Sequence, residues 1–398
     1  MMYITQSPAM PDLVCLSHLR WNFVFQRPQH LMSRFARDRR VFFVEEPVYS
    51  EEASDPCLDA KICPRTGVEV LTPRLAEELR LHSTQVVAAM LSRFVTERKI
   101  QRPILWFYTP MAIDLVPEGI SPAAVVYDCM DELSGFKGAS SQLPMYEQRL
   151  MKLADLVFTG GVSLFEAKRT LHPHVHAFPS GVDVLHFSQA RTIEEEPADQ
   201  RDLKHPRLGF AGVVDERMDL GLIREAAEKR PEWQLIMLGP VVKIDPGSLP
   251  RLQNIHWLGM KDYQDLPRYF SGWDVGMMPF ALNDATRYIS PTKTPEYLAA
   301  GLPVVSTPIR DVVQPYGELG LAHIASNAEE FITEAENAME HGMSLKWRER
   351  ADEFLASLSW DSTWSSMNKL IQESIESRDR HDSAHPGTHG HAREVARV

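Results

Sequence analysis

Short apolar runs alternate with amphipathic stretches along most of the chain. Residues 13–17, 41–45, 104–108, 124–128, 156–159 and 175–178 are continuous runs rich in β-branched and aromatic side chains. Runs of that length and character predict strands buried on both faces. Between them, residues 29–37, 73–99, 143–154 and 164–171 carry helix-spaced apolar positions. The alternation resumes with predicted strands at 207–213, 234–238, 254–257, 274–279 and 303–306, and helices near 219–229, 264–270 and 292–300. Strands alternating with helices in this way imply βαβ units and parallel sheets covered by helices. The acidic, strandless segment 192–202 divides the pattern in two. The expected organisation is an α/β domain over 1–190, a second α/β domain over 191–345, helices over 346–378 and a disordered His-, Gly- and polar-rich tail over 379–398.

Composition narrows the class. The 398 residues include 42 Lys+Arg against 54 Asp+Glu, a formal charge of −12, with 44% hydrophobic residues. Two domains, each with its own core, suit that length. A net acidic chain does not suit nucleic acid as a partner. No run approaches the ~20 apolar residues of a membrane-spanning helix, and residues 1–12 lack the pattern of a secretory signal, so the expectation is a cytoplasmic protein. Four cysteines are too few for a disulfide framework; Cys15 and Cys129 sit in apolar runs and read as buried, and Cys57 and Cys63 lack partners for zinc.

Several chemistries lose their signatures. The chain has no GxxxxGK[ST] phosphate loop, no GxGxxG after a strand, no HExxH, no GxSxG and no DxD. No metal site or resident cofactor is expected. Residues 290–308 carry a different signal. Ser290 reads as an N-cap and Pro291 as the first helical residue. Thr292, Lys293 and Thr294 would then present free amides at the positive end of a helix, a ready anion site. Glu296 falls on the face of Lys293, where a carboxylate can accept from sugar hydroxyls, and Gly301 ends the helix before the next strand. The segment reads as a holder for a phosphorylated, hydroxyl-bearing ligand; a solvated Lys293–Glu296 pair is the alternative.

The same residues carry a family resemblance. Glu296-Tyr-Leu-Ala-Ala-Gly-Leu-Pro-Val-Val305 resembles the nucleotide-sugar site of GT-B glycosyltransferases, in particular the GT4-like group of bacterial polysaccharide and glycolipid enzymes. Pro179-Ser-Gly-Val-Asp183 is similar to the turn at that fold's domain crossing, and Leu208-Gly-Phe-Ala-Gly212 to the strand that opens its second domain. The resemblance implies two Rossmann-like domains facing across a cleft, a last helix returning to the first domain, and a nucleotide-diphosphate sugar as cosubstrate. It implies donor contacts at Gly209, Gly212, Arg217, Gly259, Ser290, Thr292, Lys293, Thr294 and Glu296. Where the family pattern places a further glutamate, this chain has Tyr288, so the donor-sugar contact and the stereochemistry stay open.

In the first half, Trp21-Asn-Phe-Val-Phe-Gln-Arg-Pro-Gln-His-Leu31 follows a predicted strand and resembles a loop in a subgroup of these enzymes. His18, Arg27 and His30 are candidate acceptor or diphosphate contacts, unless the aromatic residues simply pack the loop. Asp128, Asp131 and Glu132 cluster after another strand. A hydroxyl acceptor loses its proton in a direct displacement, so a base is needed there. Asp131 is the first candidate and Asp128 the second; capping of the following turn is the alternative. Arg34, Arg37, Arg39 and Arg40 form a basic cluster suited to an anionic lipid surface or to solvent. The expected activity is sugar transfer to a glycan or lipid-linked acceptor. A nucleotide-sugar epimerase of the same fold and a non-catalytic binding subunit are the competing readings.

Overall fold

The computed structural model describes residues 10–51, 55–117, 119–341 and 344–384. The first half runs β1 (Leu13–Leu16), α1 (Arg27–Phe35), β2 (Val41–Val44), β3 (Val48–Ser50), β4 (Cys57–Ile62), β5 (Glu69–Ala76), α2 (Ser83–Glu97), β6 (Ile104–Phe107), β7 (Ala124–Cys129), α3 (Leu143–Leu153), β8 (Leu156–Thr159), α4 (Val162–Lys168) and β9 (Val175–Ala177). After α5 (Val184–Phe187) come β10 (Arg207–Ala211), α6 (Leu220–Lys229), β11 (Gln234–Leu238), β12 (Ile255–Gly259), α7 (Leu266–Phe270), β13 (Val275–Met278), α8 (Lys293–Ala300), β14 (Val304–Ser306), the single turn α9 (Arg310–Val312) and β15 (Ala322–Ile324). Helices α10 (Ala328–His341), α11 (Leu345–Leu355) and α12 (Trp360–Ala384) follow.

The first sheet has the order β3-β5-β2-β1-β6-β7-β8-β9, with β4 antiparallel on β5 and the other pairs parallel. Its central strands LVCL, VFFV and ILWF are buried at every position, as a sheet covered on both faces requires. Alternate residues feed separate cores. Val14, Leu16, Phe42, Val44, Leu105 and Phe107 face one layer, and Leu13, Cys15, Val41, Phe43, Ile104 and Trp106 face the other. The second sheet, β12-β11-β10-β13-β14-β15, is parallel throughout. In each sheet the first strand pairs on both sides, β1 with β2 and β6, β10 with β11 and β13. Such a switch point leaves a crevice at the carboxyl ends, where ligands of open α/β sheets bind.

Helix α12 joins the lobes. It leaves the second lobe and places Trp360, Met367, Ile371 and Ile375 in the core of the first sheet. The basic cluster serves this junction. Arg34 and Arg37 pair with Asp361 of α12 at 2.9 and 2.8 Å, Arg39 donates to Asn368, and Arg40 pairs with Asp12. The arginines, which the sequence leaves to solvent or to an anionic surface, are thus engaged by protein carboxylates and an amide. Among the described residues no helix is long and apolar enough to cross a membrane.

Other expectations need correction. Residues 73–99 are not one helix: Pro73 lies in β5 opposite Leu58, Glu77–His82 form a 3-10 turn, and α2 starts at Ser83. Pairing of β5 with β2, β3 and β4 outweighs the local helical spacing. Helix α12 runs beyond Asp379, where disorder was expected, because Arg102 pairs with Asp379 and Arg380 lies one turn from Glu376. The rest of that predicted tail, from 385, lies outside the described residues.

Candidate active site

The donor side is built on α8. Its N-cap is Thr292, with no side-chain cap, and Glu296 N donates to Thr292 O at 3.3 Å. Ser290 is therefore not the N-cap. Pro295 has no N–H to give Pro291 O, so an unbroken ladder cannot begin before Thr292. Ser290 instead stands at the lobe contact, against Gly161. The amides of Thr292, Lys293 and Thr294 have no acceptor within the helix and lie at its positive end. Thr294 is fully buried, its hydroxyl against Met278 Sδ at 3.4 Å, and it borders neither cavity. Lys293 Nζ sits 2.6 Å from Glu296 Oε2, both largely buried. Burial raises the Glu296 carboxyl above its usual value, and Lys293 and then His186 pull it back. Gly301 closes the helix in the left-handed region at φ +83°.

Two cavities share Val24, Phe25, Gly212 and Lys293. The larger, about 550 Å³, lies between the Trp21–Phe25 loop with Arg65 and the ends of β10, β11 and β12. That volume is in the usual range for a small-molecule site, roughly 300–1,000 Å³. The inner one, about 150 Å³, brings Asp131 of the first lobe opposite Arg217, Ser290, Thr292 and Lys293 of the second. Loops from the carboxyl ends of β7 and β8 thus face those of β10 and β13. Burial raises the Asp131 carboxyl above its ordinary value, while Arg217 and then Arg27 act against that. Arg217 is oriented by Asp215 at 2.8 Å and lies over the Phe136 ring at 5.4 Å.

The remaining predicted residues do other things. Asp128 is fully buried, and both its oxygens accept from Arg27 Nε (3.1 and 3.0 Å), with Nη2 adding a third bond at 2.8 Å. Arg27 Nη1 donates to Phe178 O at 2.7 Å. This pair ties α1 to β7, so Asp128 is not a base and Arg27 is not a free anion ligand, although Arg27 borders the inner cavity. His30 stacks on Trp360 at 4.6 Å and meets Phe25 edge-on, which makes it packing rather than an acceptor contact. Burial depresses its pKa. His18 has an unpartnered, buried Nδ1, and burial together with Lys243 lowers it to about 4, so the ring is neutral at pH 7. Gly209 is not at the cleft, since a Cβ there would overlap the Trp273 ring. Gly212 borders both cavities, and Gly259 ends β12, its carbonyl accepting from Gly239 N at 2.8 Å.

Two residues that sequence reasoning missed, Arg65 and Tyr263, line the larger cavity, and Lys243 lies outside both linings. Arg65, at the β4–β5 turn, lines the larger cavity with its guanidinium 5.9 Å from the Phe25 ring centre. Lys243, in left-handed backbone after β11, sits 5.3 Å from the centre of Phe136. Tyr263 stacks on His186 and meets Phe25 at 4.7 Å across the lobes, its hydroxyl buried without a partner. Only the positive φ at Lys243 and the exposed hairpin at Arg65 distinguish these positions, and neither shows in the sequence. Among the described residues no three His, Cys, Asp or Glu groups are arranged to hold a metal ion.

Two parallel-sheet lobes, a cleft between their carboxyl edges and a returning last helix define the GT-B fold. Solved structures agree. Sucrose-phosphate synthase from Thermosynechococcus elongatus superposes with a TM-score of 0.67 at 14% identity, covering 92% of this chain and 100% of that one. Anabaena HepE in complex with UDP-glucose gives 0.61 at 13%, covering 92% and 99%. Residues 205–341, most of the second lobe, match the family described as "Glycosyl transferases group 1". Over 227 residues the chain is 29% identical to TuaH of Bacillus subtilis (strain 168), whose name marks it as a teichuronic acid biosynthesis glycosyltransferase; the match covers 52% of this chain and 56% of TuaH. The chain spans about half the length of the curated relatives it matches.

Proposed function

We propose that this protein transfers a sugar from a nucleoside-diphosphate sugar to a hydroxyl of a glycan or lipid-linked acceptor, in the synthesis of a cell-surface polysaccharide or glycolipid. One observation carries the reading: the unbonded amide end of α8, with Lys293, borders the cavity that Asp131 enters from the other lobe, and Glu296 stands directly behind Lys293. The larger cavity takes the nucleoside. Glu296 accepts from the ribose hydroxyls, and the amides of Thr292 and Lys293, which border the cavity, hold the diphosphate. Lys293 and Arg217 offset the charge that develops as the glycosidic bond breaks; fixed groups of this kind usually supply the largest catalytic contribution. In a direct displacement Asp131 takes the acceptor's proton. In a retaining transfer the departing phosphate takes it and Asp131 orients the hydroxyl. The charge is neutralised by protein groups alone, so the reading includes no metal and no cofactor beyond the donor.

The matched family, the name of TuaH and the nucleotide sugar named with HepE support this class of reaction and donor. A thermal-shift panel with UDP, GDP, ADP and their sugars tests it first. One nucleotide series stabilises the protein, and its labelled sugar then appears in a bacterial glycan or lipid extract with chelator present. Conversion of the donor to another sugar without acceptor would favour an epimerase.

A further inference from the structure

Helix α4 is gripped at both ends. At its amino end Asp311 reaches over from the second lobe: Oδ2 accepts from Val162 N at 2.9 Å and Oδ1 from Ser163 N at 3.0 Å. Arg310, its neighbour, pairs with Glu166 one turn along. A carboxylate there satisfies first-turn donors and meets the positive end of the helix. The approach is close. A Cβ on Gly161 would overlap Asp311 Oδ2 and lie 2.7 Å from Ser290 Cβ, so the lobes meet here only because residue 161 has no side chain.

At the other end the buried Lys168 holds Glu132 Oε2 at 2.6 Å and Glu147 Oε2 at 2.7 Å. Glu132 directly follows Asp131. Just ahead of α4, Gly160 N donates to Cys129 O at 2.9 Å, and a Cβ on Gly160 would overlap Met130 O. The loop that carries Asp131 is therefore clasped on both sides by residues 160–168, and that segment is clasped by the second lobe. Asp311 itself lines neither cavity.

We infer that Asp311 and Lys168 are positioning residues: contact of the lobes at α4 sets the place of Asp131, so turnover depends on this contact and donor affinity does not. The inference rests on the transferase reading and on Asp131 as the group that handles the acceptor hydroxyl. Asp311→Ala removes the clasp from one side, and Gly161→Ala forces the lobes apart with every polar group kept. Lys168→Met cuts the other end. Each variant is expected to lower kcat about 10- to 100-fold, the scale of a small misplacement of a reacting group. The affinity for the nucleoside diphosphate, read by calorimetry with UDP and GDP, stays at the wild-type value in Asp311→Ala and Lys168→Met, which do not push the lobes apart. Hydrogen exchange at the Val162 and Ser163 amides speeds up in Asp311→Ala and Gly161→Ala.

Wild-type kcat in both Asp311→Ala and Gly161→Ala would overturn the inference. So would a parallel loss of kcat and nucleotide affinity in Asp311→Ala or Lys168→Met, the mark of a merely structural role. Absence of donor turnover in the wild type would instead sink the transferase reading. Exchange at Val162 and Ser163 would still judge the lobe contact, and unchanged exchange in Asp311→Ala would refute it.

Discussion

Replacing Asp128 by Asn separates the two carboxylates that the sequence offers as bases. Asp128 and Arg27 are 0% and 2% exposed in their side chains, joined by three nitrogen–oxygen contacts of 2.8–3.1 Å. Asparagine keeps the shape but removes the charge, and its NH₂ group competes with Arg27 for acceptors. The guanidinium is then left buried with one carbonyl, Phe178 O, as a full partner. Breaking a buried pair from one side costs about 3–5 kcal/mol. For a unit of this size that lowers the first-lobe melting temperature by about 6–20 °C. Calorimetric melting with a guanidinium titration measures it. The double variant Arg27→Met/Asp128→Leu, which removes both charges, recovers much of the loss, because the penalty comes from the orphaned ion. An Asp128→Asn protein that melts like wild type yet has lost turnover would refute this reasoning and return Asp128 to the chemistry.

With Glu296 on the ribose as proposed, Glu296→Ala loses a charge-assisted hydrogen bond of about 1.5–3 kcal/mol, and nucleoside diphosphate affinity falls about 10- to 100-fold by calorimetry. Asp131→Asn lowers kcat by about 10²–10⁴ with nucleotide affinity retained, if the transfer is a direct displacement. Because burial raises the Asp131 carboxyl, and the base must be ionised, kcat/KM rises with pH through a value above the ordinary aspartate pKa. Hydrogen bonds from Arg34, then burial against them, then Arg37 hold Asp361 at about 2, below its unfolded value. Its contribution to docking α12 is therefore full above the ordinary aspartate pKa and lost as pH falls through about 2. Acid melts of wild type and Asp361→Asn converge at that end. The partly exposed pair makes the difference at neutral pH small.

The doubly wound parts of both lobes are legible because β1, β2, β6 and β10 are apolar at nearly every position, and no other packing hides such runs. The β4–β5 hairpin is not legible. Strand β4 is exposed at most positions and pairs along one edge, so it carries no apolar signature, while the helix-spaced leucines after Pro73 point the wrong way. With it went Arg65. In the candidate site, α8 and its end at Gly301 are readable from local chemistry, but its start is not, since Ser290 and Pro291 signal a helix two residues earlier than the one that forms. Asp128 and Asp131 differ by tertiary context. One lies inside β7, where a carboxylate needs a cation, and the other follows the end of that strand. Parity along AVVYDC places Asp128 in the sheet, but nothing local names Arg27 as its partner. The Asp311–α4 contact joins segments far apart in the chain and leaves no trace in either one.

The central claim is that the first turn of α8 holds a diphosphate between the lobes. A crystal structure with the nucleoside diphosphate that stabilises the protein most tests it directly. The account predicts phosphate oxygens on the amides of Thr292 and Lys293 and ribose hydroxyls on Glu296. A nucleotide seated elsewhere, with that turn of α8 empty, would contradict it.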